Sequence, residues 1–232
     1  MLAEFGPEIW TCAGPIVTAG GGFHYPTRMV VIRLSDGRLV LWSPVALSDQ
    51  LAGEIEGLGP VGYIVAPNAL HDTFFAQWQA HYPEATALVA PGLRKRRPDL
   101  RAAEFGDAPI KSWSGEIDYV AVTGNAITTE IVFFHHASRT AGFTDLLQQF
   151  PNGWFKGWRS VAARFDLMTG DEPHVPRKFR IAFIDRSLAR RAIEHILAWP
   201  TERVLMAHGT PVQSRGREFL QRAFAWLVKP FP

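Results

Sequence analysis

Cysteine, net charge and long uncharged runs are all scarce in this sequence, and each scarcity excludes something. Cys12 is the only cysteine among 232 residues, so there is no internal disulfide and no multi-thiolate zinc site, and the chain fits a reducing compartment. Twenty-four Lys and Arg against 22 Asp and Glu leave a formal net charge of +2, which offers neither a nucleic-acid footprint nor an attraction to anionic membrane. The longest stretch free of Asp, Glu, Lys and Arg, Ile9 to Thr27, holds Gly14, Pro15, Gly20, Gly21, Gly22 and Pro26 and cannot be a spanning helix. Met1 to Trp10 carries Glu4 and Glu8 without a basic residue, the wrong pattern for a secretory signal. A cytoplasmic protein without nucleic acid or membrane as partner is expected; the oligomeric state stays open.

The hydrophobic share of 47% is enough to build a core. No repeat, low-complexity tract or linker interrupts the chain, so one domain over residues 1–232 is expected. Arg28 to Leu34 and Arg38 to Trp42 flank Asp36-Gly37 and read as a hairpin. Ser48 to Gly57 reads as a short helix and Val61 to Ala66 as a strand covered on both faces. Phe74, Phe75, Trp78 and Tyr82 then fall at helical spacing up to Pro83, with His71 at the helix entrance. Glu116 to Val122 and Ile127 to His135, around Gly124-Asn125, form a second hairpin, with Thr140 to Asp145 beside it. Gln148 to Arg180 has no clear period. Asp185 to Trp199 is helical, with Leu188, Ala192, Ile193, Ile196 and Leu197 as its apolar stripe. Glu202 to Ala207 is a strand and Arg215 to Val228 a last helix. Strands and helices interleaved in this way predict a layered α/β fold.

His71, the pair His135-His136, His208 and Asp145 each follow an apolar strand, where α/β folds gather functional groups. Imidazole and carboxylate together suit Zn²⁺ or Fe²⁺ and leave a position for an activated water. Each also has a plainer reading: His71 at a helix start, His208 on a loop carbonyl, Asp145 capping a turn, and one of His135 and His136 facing away from the other.

In order, Arg28-Met-Val-Val-Ile-Arg-Leu34, Ser43-Pro44, Ile64-Val-Ala-Pro-Asn68 with His71, Pro91-Gly-Leu93, Glu130-Ile-Val-Phe-Phe-His135, Ser138-Arg-Thr140, Thr144-Asp145 and Ala207-His-Gly209 resemble an uncharacterised family, a domain of unknown function, of the metallo-β-lactamase-like superfamily. The resemblance implies a four-layer αβ/βα sandwich with its cleft along one sheet edge. The superfamily signature H-x-H-x-D-H corresponds to Ala66 through His71, with Ala66, Asn68 and Leu70 in place of His, His and Asp. Only His71 is kept. The later ligands correspond to His135, with His136 as fallback, to Asp145 and to His208.

What this implies is a metal-dependent hydrolase of an ester, thioester or phosphoester small molecule. One zinc or iron ion would be held by His71, Asp145 and His208 with His135 nearby, and His71 and Asp145 would be catalytic. A two-metal site is not expected after the loss of three signature positions. The alternatives are a fold that has lost catalysis and serves as a binding or scaffold module, with no ion at all, and a redox role with iron. Asn68 is a helix N-cap or a substrate-binding amide. Arg139 is a clamp for a substrate anion near Asp145 or a structural pair with a buried carboxylate. Arg94 to Arg97 reads as a solvated basic loop.

Overall fold

The computed structural model describes residues 1–106 and 110–228 and divides into two compact units that interleave along the chain. The first comprises residues 1–16, 26–118 and 136–138, and the second residues 17–25, 119–135 and 139–232.

The first unit carries most of a seven-stranded sheet whose strand order follows the chain: β1 (Leu2–Gly6), β2 (Ile9–Ala19), β3 (Phe23–Arg33), β4 (Leu39–Trp42), β5 (Val61–Ala66), β6 (Thr86–Val89) and β7 (Ala103–Glu104). The Asp36-Gly37 hairpin forms as expected, β3 pairing antiparallel with β4 through Val31 opposite Leu41, and Gly37 takes the left-handed conformation at φ 85° that the turn demands. From β4 to β7 the pairing is parallel, which requires crossover segments, and α1 (Asp49–Glu56) and α2 (Phe75–His81) supply the first two. Ser48 starts α1 by accepting the Leu51 N–H at 3.2 Å. Leu51, Ile55, Phe75 and Trp78 from these helices pack with Val31, Leu41, Ile64 and Val89 of the strands, and the Trp78 indole donates to the Val45 carbonyl at 2.6 Å. Trp42, Tyr63, Phe105 and Trp113 form a separate aromatic group. The uncharged stretch from Ile9 to Thr27 forms β2 and the start of β3. The basic run forms a single helical turn, α3 (Leu93–Arg96), rather than a loop.

The second unit holds a four-stranded sheet in the order β11-β10-β9-β8, made of β8 (Ile117–Val122), β9 (Glu130–His135), β10 (Thr140–Gly142) and β11 (Arg203–Leu205). Its helices are α4 (Trp158–Phe165), α5 (Arg177–Ala182), α6 (Arg186–Ala198) and α7 (Gly216–Ala223). Asp185 caps α6, its carboxylate accepting the N–H groups of Ser187 and Leu188. Ile193, Ile196 and Leu197 of α6 pack with Phe219, Leu220 and Phe224 and with Val132, Phe134 and Ala141 of the sheet. Leu188 does not join that stripe: it is exposed, and Ala189 is the buried residue of the first turn. The region from Gln148 to Arg180 contains α4 and the start of α5 around a small core of Phe150, Phe155, Ala163 and Met168, against which Phe23 and Tyr25 pack. β10 stops at Gly142, three residues short of the expected end, because the chain turns at Thr144–Leu146.

Gly142 faces Phe133 across β9 and β10, and a Cβ there would fall on the Phe133 ring. Gly142→Ala therefore forces a buried aromatic off its rotamer, and we expect a loss of about 1–3 kcal/mol in urea denaturation.

Candidate metal centre

Sheet register builds the centre of the second unit. β10 and β11 run parallel with Thr140 level with Arg203 and Gly142 level with Leu205, so three residues further on Asp145 comes level with His208. β9 and β10 run antiparallel with Gly142 level with Phe133, and the same step brings Asp145 level with Glu130. Three polar residues thus stand side by side at one end of three neighbouring strands, and the side chains meet as the register requires. Asp145 Oδ1 lies 3.4 Å from His208 Nε2. The Glu130 carboxylate accepts the backbone N–H groups of Thr144, Asp145 and Leu146 at 2.9, 2.8 and 3.1 Å. Glu130, Asp145 and His208 are 1%, 4% and 4% exposed.

The surroundings fix these groups. Gln148 donates from Nε2 to Asp145 Oδ1 at 3.1 Å, and the Gln149 N–H donates to the His208 carbonyl at 2.8 Å. The His208 ring meets Tyr25 edge-on at 5.1 Å and stacks with Phe150 at 6.4 Å. Burial pushes the Glu130 carboxyl above the usual carboxylate range, and the Asp145 charge pushes it the same way against the pull of the loop amides. A buried carboxylate at Asp145 beside the His208 ring is a pair of groups that a cation can satisfy. Among the described residues Gln148 Oε1 is buried without a hydrogen-bond partner, an acceptor that an ion's bound water would satisfy.

In the first unit His71 lies in the loop after β5, and its Nδ1 is 2.7 Å from the Ser43 hydroxyl. Ser43, at the end of β4, holds a left-handed conformation at φ 56° and donates its N–H to the Val65 carbonyl at 2.9 Å, so a backbone rarely adopted outside glycine aims the hydroxyl at the ring. A histidine anchored through Nδ1 presents Nε2 as its ligand atom. Three residues separate His71 from Phe75, the first residue of α2.

Several expected residues fall elsewhere. His135 is level with Thr140, five residues from Glu130 along β9, roughly 16 Å of strand. The antiparallel turn puts it at the opposite end of the sheet from Asp145, so it does not serve that centre. His136 is exposed and its Nε2 lies 2.9 Å from Asp118 Oδ2. Arg139, one residue before β10, shares the far end with His135. Its guanidinium holds Glu202 at 2.8 Å and the Pro200 carbonyl at 3.1 Å, and Glu202 is half exposed, so it is neither a clamp near Asp145 nor the partner of a buried carboxylate. Asn68 is fully buried, which leaves no surface for a substrate. Its Oδ1 accepts the Leu70 N–H at 2.8 Å, shaping the loop that leads to His71 instead of capping α2, whose cap position is Phe74. The sequence reading missed Glu130 and Ser43. Counting register back from Asp145 across the 130–142 hairpin would have found the first; Ser43-Pro44 belongs to the family resemblance, but nothing in the sequence pairs Ser43 with His71.

Two sheets with helices of their own define an α/β protein, and comparison of the whole chain with solved structures gives the fold as that of the metallo-β-lactamases. A metallo-β-lactamase from Hirschia baltica superposes with a TM-score of 0.61 at 14% identity, covering 100% of this chain and 99% of its own. The metallo-β-lactamase FIM-1 from Pseudomonas aeruginosa, in its mono-zinc form, gives 0.61 at 12%, covering 96% and 93%. The metal-soaked Flv1 flavodiiron core from Synechocystis sp. PCC6803 gives 0.64 at 13%, covering 98% of this chain and 60% of that one. Residues 21–160 match the family described as a domain of unknown function, DUF4336, and the chain belongs to that family. No curated protein matches it by sequence.

Proposed function

We propose that this protein is a cytoplasmic metal-dependent hydrolase of a small ester, thioester or phosphoester that carries one zinc or iron ion, for which the sequence resemblance supplies His71, Asp145 and His208 as ligands. The observation that carries the reading is the buried Asp145–His208 pair beside Glu130 and the orphaned Gln148 oxygen. Two imidazoles and a carboxylate form a donor set that suits either ion. When bound, such an ion lowers the pKa of its water toward neutrality and supplies the nucleophile. Within the chain, Ser43 orients His71, the Glu130 carboxylate fixes the turn that presents Asp145, and Asp145 is the group to hold a proton next to the reacting water. Ala66, Asn68 and Leu70, where the superfamily has ligands, leave donors for one ion rather than two.

The same three replacements support a second reading, a binding module without catalysis. Metal content separates the two. Protein expressed with zinc or iron supplementation should carry about one ion per chain, and His71→Ala and His208→Ala should each carry less than roughly a tenth of that. Substoichiometric metal that neither substitution changes would favour the binding module.

A further inference from the structure

The net charge of +2 hides a strongly uneven distribution. Residues 156–191 hold nine Lys and Arg against four Asp and Glu, a local charge of +5, which leaves −3 for the rest of the chain. Asp166 pairs with Lys178 inside the stretch and leaves the excess unchanged, Arg180 and Arg190 donate to backbone carbonyls, Glu172 is held by Arg222 from outside, and Asp185 caps α6. The same stretch carries six of the ten large hydrophobic residues exposed among the described residues: Trp158, Val161, Phe165, Ile181, Ile184 and Leu188. Trp158, Val161 and Phe165 recur at i, i+3 and i+7 on α4, so they form one stripe, and it faces away from Ala163, the buried residue of that helix. Arg177 donates to the Phe165 carbonyl at 2.8 Å, bringing the end of α4 to the start of α5, and Ile181 lies one turn beyond Arg177. Ile181 and Ile184 are 77% and 81% exposed.

We propose that this face of the second unit docks on an anionic lipid surface, with Trp158, Val161, Phe165, Ile181 and Ile184 entering the headgroup–acyl boundary and the surrounding Lys and Arg meeting lipid phosphates. Exposed Trp, Phe and Ile flanked by cations are the composition of an interfacial segment. A cavity of about 250 Å³ beside Val161 offers Asn152, Ser160, Arg164 and Thr169, a neutral-to-cationic set suited to a phosphate headgroup. These side chains protrude, so a protein partner would have to supply a pocket for each, whereas a fluid bilayer conforms to them. A second copy would bring +5 against +5. The expectation of no membrane partner weighed the charge only as a whole-chain average and spanning helices only; the proposal rests on the local distribution.

Vesicle flotation of the full-length protein at low salt tests this, with equal parts phosphatidylglycerol and phosphatidylcholine against phosphatidylcholine alone. Binding to the anionic vesicles should be at least roughly tenfold stronger, should weaken with added salt, and should fall about tenfold or more in both Ile181→Ser/Ile184→Ser and Lys156→Glu/Arg164→Glu. Circular dichroism melts of these surface variants should match the parent. Absence of an anionic preference, or equal binding by parent and variants, would overturn the proposal. So would light scattering that shows a dimer abolished by Ile181→Ser/Ile184→Ser, which would assign the face to a second copy.

Discussion

Glu130→Ala will destabilise the protein by about 2–4 kcal/mol and weaken its metal binding at the same time. Three backbone N–H groups end on this one carboxylate at a place where water is excluded, and each would be left without an acceptor at a cost of about 1–3 kcal/mol. The loss is smaller than their sum because alanine also removes a buried carboxyl group that lies beside Asp145. Glu130→Gln should fall between parent and alanine: one oxygen still accepts, but the new amide N–H₂ meets backbone donors on the other side. Urea denaturation of the three proteins gives the order. A loss under about 1 kcal/mol for alanine would mean that the 144–146 turn holds its shape without the carboxylate.

This residue also marks where sequence reading succeeds and where it stops. Local chemistry was legible: Asp36-Gly37 made its hairpin, the helices expected from Ser48 and from Asp185 formed, and the apolar run at Val61 became a buried parallel strand. Such features depend on neighbours within a few residues, so spacing and residue type suffice. The two ends of a hairpin are a different matter. His135 and Glu130 both belong to β9, and treating every polar strand end as equivalent favoured the histidine. The antiparallel turn at His136–Arg139 sends the chain back, so it is the first residue of β9 and not the last that stands level with Asp145. Arg139 failed for the same geometric reason. By contrast β10 and β11 are parallel, and there the strand-end rule holds, which is why Asp145 and His208 meet. Ser43 could not be anticipated because its role depends on a left-handed backbone at the end of β4 and on a histidine 28 residues away. Exposed apolar residues such as Leu188 look like core in a helical pattern until packing decides which face is covered.

Asp145→Asn will lower metal affinity about 100-fold while leaving the metal-free protein at least as stable as the parent. The substitution keeps the side chain's size and an oxygen that can accept from Gln148, but it withdraws the negative charge on which a divalent ion depends. In the metal-free protein that charge is a burden, since it lies buried beside Glu130 and is one of the causes that push the Glu130 carboxyl upward. Its removal relieves the repulsion, whereas the contact with His208, at 3.4 Å, changes from a potential ion pair to a neutral one. The two effects offset each other in stability, and neither restores the lost attraction for a cation. Stability kept and binding lost is the pattern of a residue retained for a site rather than for the fold. Glu130→Ala should lose both, because it acts through the backbone that carries Asp145. Calorimetric metal titration alongside urea denaturation of both variants separates the ligand from the residue that positions it. Asp145→Asn protein that unfolds more easily yet binds metal as the parent does would make Asp145 a structural residue and remove it from the centre.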